Sequence, residues 1–337
     1  MTSENPAGSN AVGLTAAGSN APSDAEADPL ADPLAELLDT LDLEELGTAR
    51  ITVEGVGDST EFGESGASVF LGRSQRMPHG RVFGGQVLAQ CIIAAGRTMA
   101  DVDDGDGPRR IHSLHGYFMR PGDDTQPIRF AVERMRDGRS FSTRRVHAIQ
   151  DGMPILSMIT SFQEQAGGLD HQDPMPDVPR PEDLTSLGSL VDGIDHPGAR
   201  HLANRPIELR HVEGNLFVTP IAEPVARQSV WMKAIGRLPD DPLIHAAVLA
   251  YASDYTLLEP VLRRHELMWT DRRLRPASLD HAMWFHRPVR ADEWILYDEE
   301  SPSASGGRGL GLGRMFAADG TLVATVAQEG MVRVKES

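Results

Sequence analysis

Two stretches of the chain, His112-Ser-Leu-His-Gly-Tyr-Phe-Met-Arg-Pro121 and Ala277-Ser-Leu-Asp-His-Ala-Met-Trp-Phe-His-Arg-Pro288, pass through aromatic residues to an Arg-Pro pair. The two pairs lie 167 residues apart, since 287 − 120 = 167. Farther on, the turn Asp151-Gly152 recurs as Asp319-Gly320, each followed by an apolar run. A repeat this long indicates tandem domains, because solenoid units are only a few tens of residues long. The copies differ in their polar residues, which suggests that only one of them carries the chemistry.

Composition favours a soluble two-domain protein. The 337 residues suit about two domains, and the net charge of −17 includes ten acidic and no basic residues before Arg50, so the remainder carries −17 + 10 = −7. Such a charge argues against a nucleic-acid partner. The single cysteine, Cys91, excludes an intramolecular disulfide and favours a reducing compartment. With no eighteen-residue apolar run and no secretory signal pattern, we expect a cytoplasmic protein without a membrane span.

The chain divides into five segments. Residues 1–32 form a low-complexity acidic tail that we expect to be disordered, and leucines at helical spacing predict a short helix over 33–47. The first domain is expected over 65–165 and the second over 206–333. The proline-rich segment 166–205 between them is typical of a linker.

Each domain shows an apolar helix followed by a meander of long strands, which predicts an α+β fold with an antiparallel sheet wrapped around a helix. The helices are expected from Gly84-Gly85 to Ala95 and over Leu243–Leu262. Strands are expected near 67–71, 112–119, 128–136, 140–150 and 153–163, and near 228–234, 279–286, 294–300, 307–317 and 321–332.

Several common catalytic signatures are missing from the sequence. It has no Gly-x-Ser-x-Gly elbow, no phosphate-binding Gly-x-x-x-x-Gly-Lys loop and no Gly-x-Gly-x-x-Gly fingerprint. His112 and His115 are three positions apart on a predicted strand, so their rings face opposite sides and no metal site is expected. Cys91, within an apolar helix, is interpreted as a buried small hydrophobic residue.

Three polar residues interrupt apolar segments of the second domain. Asp254 lies in the apolar helix, where it is either a partnered carboxylate suited to act as a base or a solvent-facing residue. Ser278 opens the strand of the repeated motif, and Gln328 interrupts the last strand. Each of these two is, taken alone, typical of an ordinary surface or edge residue.

Longer motifs in both halves resemble the type II acyl-CoA thioesterases. The similar stretches span about 65 to 333 and leave out the acidic tail. They are Arg81-Val-Phe-Gly-Gly-Gln-Val-Leu-Ala-Gln90, Leu114-His-Gly-Tyr-Phe-Met-Arg-Pro-Gly-Asp123, Arg136-Asp-Gly-Arg-Ser-Phe-Ser-Thr-Arg-Arg145, Tyr251-Ala-Ser-Asp-Tyr255, Ser278 to Pro288, and Gln328-Glu-Gly330.

The resemblance implies a double hotdog fold, hydrolysis of acyl-CoA to fatty acid and CoA without a cofactor or metal, and assembly into homo-oligomers. It also implies a catalytic set of Asp254, Ser278 and Gln328, with serine where many relatives have threonine. Asp254 would be the general base, while the other two would hold the attacking water. Gly84 and Gly85 are interpreted either as substrate-binding backbone at a helix start or as a simple helix entry.

Other interpretations remain open at this stage. His112, His281 and His286 are interpreted as packing residues that support the site or as alternative bases, and a histidine base would make activity fall as the pH drops through about 6–7. A nucleophilic role for Ser278 has less support, because no recognisable motif places a histidine beside it. The same fold would also suit an enoyl-CoA hydratase, which needs a different Asp/His pair, or a non-catalytic acyl-CoA sensor.

Overall fold

The structure, a computed structural model, describes residues 32–49, 66–100, 102, 108–195 and 197–335. Except for Asp32, the expected disordered tail lies outside these residues. From Asp32 onward the chain forms a single compact unit. Its helices are α1 (Pro33–Leu41), α2 (Gly84–Arg97), α3 (Leu187–Val191), α4 (Pro197–Ala203), α5 (Pro242–Ser253) and α6 (Glu259–Arg264).

Thirteen strands make up one sheet. They are β1 (Glu44–Ala49), β2 (Ala67–Gly72), β3 (Arg110–Phe118), β4 (Ile128–Asp137), β5 (Phe141–Gln150), β6 (Met153–Gln163), β7 (Ile207–His211), β8 (Arg227–Ala234), β9 (Leu274–Ser278), β10 (Asp280–Phe285), β11 (Ile295–Ser305), β12 (Arg308–Ala317) and β13 (Leu322–Val334). Twelve of them follow the order β1-β2-β4-β5-β6-β3-β10-β13-β12-β11-β8-β7, and β9 pairs with β13 outside this path.

The two repeated motifs lie side by side at the centre of the sheet. Strands β3 and β10 pair antiparallel, with Leu114 opposite Met283 and Tyr117 opposite Asp280. This seam joins the sheet of the first domain to that of the second. The repeated sequence therefore builds the junction between the domains.

A central helix packs on the inner face of each half of the sheet. Helix α2 is buried along nearly its whole length, and so is α5, which is why α5 is apolar on nearly all sides. Helix α2 keeps two buried amides, those of Gln86 and Gln90, which are hydrogen-bonded to each other at 3.0 Å. The two helices pack against each other with opposite ends adjacent, since Gly84 lies beside Asp254 and Gly96 beside Leu243. This arrangement is the expected double hotdog.

Two predicted helices are wrong in extent. The helix expected over 33–47 ends at Leu41, because Leu43 is buried and the following residues pair as β1 with β2. The helix expected over Leu243–Leu262 is two helices, α5 and α6. The break falls where Asp254 caps α5, and Pro260 at the start of α6 lacks the N–H that a continuous helix would need.

The proline-rich segment between the domains is partly folded against the second domain. It contains a short 3₁₀ helix (Pro181–Asp183) in addition to α3 and α4. The carbonyl of Pro179 accepts a hydrogen bond from the indole of Trp231, at 2.9 Å. Strands β1, β7 and β9 were not expected from the sequence. No helix in the described part of the chain is both long and apolar enough to cross a lipid bilayer.

Candidate active site

Asp254 lies at the C-terminal cap of α5, on the face of the helix that meets α2. Its carboxylate is partly buried, and removal from water raises its pKa from 3.8 to about 6. Hydrogen bonds from Gln328, from the Gly85 N–H and from Ser278 act in the opposite direction, because they favour the charged form. Asp254 is thus a partnered carboxylate rather than a solvent-facing residue.

Ser278 and Gln328 lie next to this carboxylate, on β9 and β13. The Ser278 hydroxyl points to Asp254 Oδ1 at 3.4 Å, and the Gln328 amide nitrogen donates to Ser278 Oγ at 2.7 Å. Gln328 is almost fully buried, because it occupies an inward position of its strand. The fold therefore brings together three residues that are up to 74 positions apart, since 328 − 254 = 74.

His281 extends the same chain of hydrogen bonds. It is completely buried; its Nδ1 contacts the Gln328 side-chain oxygen, and its Nε2 lies 2.9 Å from the Ser253 hydroxyl. Burial lowers the pKa of His281 to about 4, so the ring is neutral at physiological pH. Since the Gln328 oxygen can only accept, Nδ1 carries the proton. The unprotonated Nε2 lies beside the Ser253 hydroxyl, which also donates to the Ala250 carbonyl at 2.9 Å.

The start of α2 contributes the other side of the site. A Cβ atom added to Gly84 would lie 2.6 Å from Asp254 Oδ2 and 3.0 Å from the Phe118 ring. A Cβ at Gly85 would lie 2.4 Å from the Tyr251 carbonyl oxygen. Only glycine fits at these positions. The first domain therefore supplies a helix N-terminus that touches the carboxylate of the second.

The other sequence candidates lie elsewhere. His286 is exposed and lies 2.8 Å from the Thr325 hydroxyl, while His112 is half-buried with its ring edge against Phe141. The Cys91 thiol is buried within α2, and burial raises its pKa well above the ordinary value. Within the described ranges, no group of three or more His, Cys, Asp or Glu side chains is placed to hold a metal ion.

Sequence reasoning took His281 for a packing residue that supports the site or for an alternative base. Its contact with Gln328 follows from strand register. Strands β10 and β13 pair with Ala282 opposite Ala327. His281, one residue before Ala282, therefore lies opposite Gln328, one residue after Ala327, on the inner face. A register cannot be obtained from the sequence of one strand. The signal that was available is a histidine at an inward position of a predicted strand.

Comparison with known proteins agrees with this geometry. Residues 207–331 match the family model described as acyl-CoA thioesterase, and residues 73–163 match the acyl-CoA thioesterase N-terminal domain. The acyl-coenzyme A thioesterase 8 of Homo sapiens is 41% identical over 281 residues, covering 79% of this chain and 85% of that protein. The chain belongs to the acyl-CoA thioesterase family.

Solved structures support the same assignment. The acyl-CoA thioesterase II TesB2 of Mycobacterium marinum is 39% identical, with a TM-score of 0.66 over 89% of this thioesterase-family chain and 99% of that chain. A protein of Alicyclobacillus acidocaldarius described as having a hot dog fold has a TM-score of 0.67 at 18% identity, covering 89% and 99% of the two chains. That second likeness concerns the fold alone.

Proposed function

We propose that this thioesterase hydrolyses acyl-CoA to free fatty acid and CoA by water that Asp254 activates. The observation that carries the proposal is the environment of Asp254. Its carboxylate is the ionisable member of the hydrogen-bonded set with Ser278 and Gln328, and its raised pKa makes it a stronger base than an exposed aspartate.

In the proposed reaction, the Asp254 carboxylate removes a proton from water as the oxygen attacks the thioester carbonyl carbon. The resulting tetrahedral intermediate collapses with cleavage of the carbon–sulfur bond. The thiolate leaves as CoA and takes up the proton that Asp254 received, while the acyl group leaves as the fatty acid. No covalent enzyme intermediate is needed, because a thiolate is a good leaving group and a thioester carbonyl has weak resonance stabilisation.

Ser278 and Gln328 are proposed to align the carboxylate and the attacking water. Neither takes up a proton near neutral pH, so their contribution is orientation rather than acid–base chemistry. His281 is proposed to fix the Gln328 side chain, because its Nδ1–H occupies the amide oxygen and leaves the amide nitrogen directed at Ser278.

Gly84 and Gly85 are proposed to bind the substrate through the start of α2. The Gly85 N–H donates to Asp254, and Gly84 lies one residue earlier, where helical N–H groups have no partner within the helix. Such a group would stabilise the developing negative charge on the thioester oxygen. The absence of a side chain lets the thioester approach both this backbone and the carboxylate.

The hydratase alternative needs an aspartate and a histidine acting together. Among the described residues, Asp254 has its hydrogen bonds with Ser278, Gln328 and the Gly85 N–H, and His281 contacts Gln328 and Ser253 instead. This arrangement favours hydrolysis. The intact catalytic set likewise argues against a non-catalytic sensor.

A direct assay tests the proposal. Thiol release from palmitoyl-CoA would be measured for the wild-type protein, Asp254→Asn and Asp298→Asn, an aspartate of β11 that is ion-paired with Arg314 at 2.7 Å. We expect Asp254→Asn to lower kcat by ~10²–10⁴-fold and the Asp298 variant to retain activity. Equal rates for wild type and Asp254→Asn would disprove the mechanism, and no release by the wild type would disprove the function.

We also propose that the protein is a cytoplasmic homo-oligomer. The outer face of the sheet at the seam carries exposed apolar residues in register, with Ile159 beside His115 and Trp284 beside Ser113. Tyr117, 65% exposed, lies on the same face. Apolar patches of this kind are typical of interaction surfaces. Light scattering of wild type and Tyr117→Ser tests the assembly, and cell fractionation tests the location.

A further inference from the structure

Arg205, just before β7, is a half-buried cation that stacks on aromatic rings and has no hydrogen-bond or ion-pair partner among the described residues. Its guanidinium carbon lies 4.4 Å from the centre of the Tyr255 ring and 5.9 Å from that of Phe217. The Nε atom is buried, yet no described residue accepts a hydrogen bond from it, and the guanidinium makes no ion pair with any described residue. Leaving such a donor unpaired is costly. The guanidinium therefore has donor capacity that the described residues do not use.

Arg210 also stacks on an aromatic ring, but its guanidinium has the hydrogen-bond acceptors that Arg205 lacks among the described residues. Arg210 lies over the Trp294 ring at 5.1 Å, but it is ion-paired with Glu208 at 2.6 Å and donates to the carbonyls of Pro181 and Leu184. Its donors are satisfied within the protein. Arg205 has the same stacked geometry without the acceptors, so its role is not explained by packing on an aromatic ring alone.

The position of Arg205 relates it to the candidate active site. Tyr255 follows Asp254 in the chain, and its ring stacks on Phe83 with centroids 4.9 Å apart and planes 18° apart. Phe83 caps the start of α2, immediately before Gly84. The Tyr255 ring thus lies between the Arg205 guanidinium and Phe83. Phe83 precedes Gly84, which lies beside the Asp254 carboxylate.

The charge of Arg205 acts on His201, four residues earlier in the chain. Burial and the positive charge of Arg205, together with His79, lower the pKa of His201 to about 4. Burial and then Arg81 lower the pKa of His79, while Asp124 acts weakly in the opposite direction. At neutral pH the His201 imidazole is therefore neutral.

Asp124, the acidic group whose charge acts on His79, is engaged elsewhere. The Asp124 carboxylate pairs with Arg76 at 3.3 Å and accepts the Met77 N–H at 2.7 Å. The chain beyond residue 49 still carries a net charge of −7, so a polyanionic substrate needs local positive charge to approach.

The substrate of the proposed reaction carries suitable anions. Coenzyme A has a diphosphate and a phosphate monoester, and the pantetheine arm separates both from the thioester. A planar guanidinium that stacks on an aromatic ring keeps its in-plane N–H groups free to bind two phosphate oxygens. We propose that Arg205 binds a phosphate group of the CoA portion of the substrate. This assignment rests on the proposed acyl-CoA hydrolase function.

Two thioesters of the same acyl group test the proposal. Octanoyl-CoA carries the phosphates, whereas octanoyl-N-acetylcysteamine has the thioester and the neighbouring amide without them. Both would be assayed with the full-length wild type, Arg205→Gln and Arg129→Gln, an exposed arginine of β4 with no ion-pair partner among the described residues. We expect Arg205→Gln to raise KM for octanoyl-CoA about 10- to 100-fold, as for a lost charge-assisted hydrogen bond. Hydrolysis of the phosphate-free thioester is expected to stay unchanged, and the Arg129 variant is expected to behave as wild type.

Titration calorimetry with adenosine 3′,5′-bisphosphate gives a readout independent of activity. We expect binding to the wild type and at least tenfold weaker binding to Arg205→Gln. Equal losses on both thioesters would show a structural role for Arg205, and an unchanged KM for octanoyl-CoA would show no role in binding; either overturns the proposal. If the wild type binds the bisphosphate through Arg205 but hydrolyses no thioester, the hydrolase function fails and the phosphate site remains.

Discussion

The two ends of the α2–α5 helix pair have the same arrangement of helix termini but carry different side chains. At one end the start of α2, at Gly84, meets the carboxylate of Asp254, while at the other a Cβ on Gly96 would lie 2.4 Å from a methyl carbon of Leu243. Gly84 and Gly96 are twelve residues apart. The same spacing separates Pro242 from Asp254. The duplicated fold thus offers two equivalent places, and only one holds a carboxylate.

The strands at the seam show the same difference. The offset of 167 places Ile111 at the position of Ser278 and Leu114 at that of His281. Leu114 faces Thr160 in the register of β3 and β6, as His281 faces Gln328 between β10 and β13. Where the second domain has a chain of polar contacts, the first has a leucine and a threonine bonded to the Ser113 carbonyl at 3.0 Å. The first domain retains the core and supplies backbone, and the second supplies the reactive side chains.

The largest effect is expected when His281 is removed from the chain of hydrogen bonds with Gln328 and Ser278. His281→Phe keeps an aromatic ring at this position but takes away the donor to Gln328, so the amide is free to turn and kcat is expected to fall about 10- to 100-fold with little change in KM. His281→Asn, which offers an N–H again, is expected to recover part of the loss.

Leu114→Met, at the equivalent position of the first domain, is the matched control for this comparison, and it is expected to leave kcat unchanged. Steady-state kinetics on one acyl-CoA measure all three variants. A kcat for His281→Phe equal to that of the wild type would remove His281 from the site.

The pH profile tests whether the carboxylate is the base. The Asp254 base form exists above its pKa of about 6, so kcat/KM is expected to be level above pH 7 and to fall about tenfold per pH unit below 6. A base at His281, whose pKa burial lowers to about 4, would instead keep kcat/KM level down to about pH 5. His281→Asn tests this further, since an unmoved midpoint near 6 in that variant assigns the titration to Asp254, whereas a lost midpoint assigns it to the histidine.

Stability should depend on pH in the opposite sense. The pKa of Asp254 is about 6 in the folded protein and 3.8 ordinarily. The contribution of this group to the free energy of unfolding is therefore fully present below about pH 3.8 and is lost as the pH rises through 6. Asp254→Asn is therefore expected to raise the free energy of unfolding by about 1–3 kcal/mol at pH 8 and by nothing at pH 3.5. Urea titrations at both pH values measure this difference, and a destabilised variant at pH 8 would contradict it.

The two glycines give the smallest expected effect and compare the two ends directly. Gly84→Ala should disturb the carboxylate and lower kcat/KM several-fold, because the added methyl would lie 2.6 Å from Asp254 Oδ2. Gly96→Ala should leave activity unchanged and lower the unfolding free energy by about 1–3 kcal/mol through overpacking against Leu243. Equal losses of activity in both variants would show that the two ends are not functionally distinct.

Prediction from sequence succeeded where the signal is local. Apolar runs and turns such as Asp151-Gly152 predicted both ends of β6 (Met153–Gln163) and the start of α2. Prediction failed for the edge strands β1 and β7, which are short and gain their structure only by pairing with a neighbour. It also joined α5 and α6, since an apolar pattern continues through the break after Asp254.

The sequence by itself determined the duplication, the sheet-around-helix modules and the presence of three unusual polar residues in one copy, because periodicity and repeated motifs are properties of neighbouring residues. Only the tertiary structure decided that the repeated strands pair at the seam and that the first domain's helix start touches Asp254. It alone placed His281 beside Gln328 and left the buried Nε of Arg205 without an acceptor among the described residues. Register, burial and the raised pKa of Asp254 depend on segments far apart in the chain, and their contacts exist only once the chain has folded.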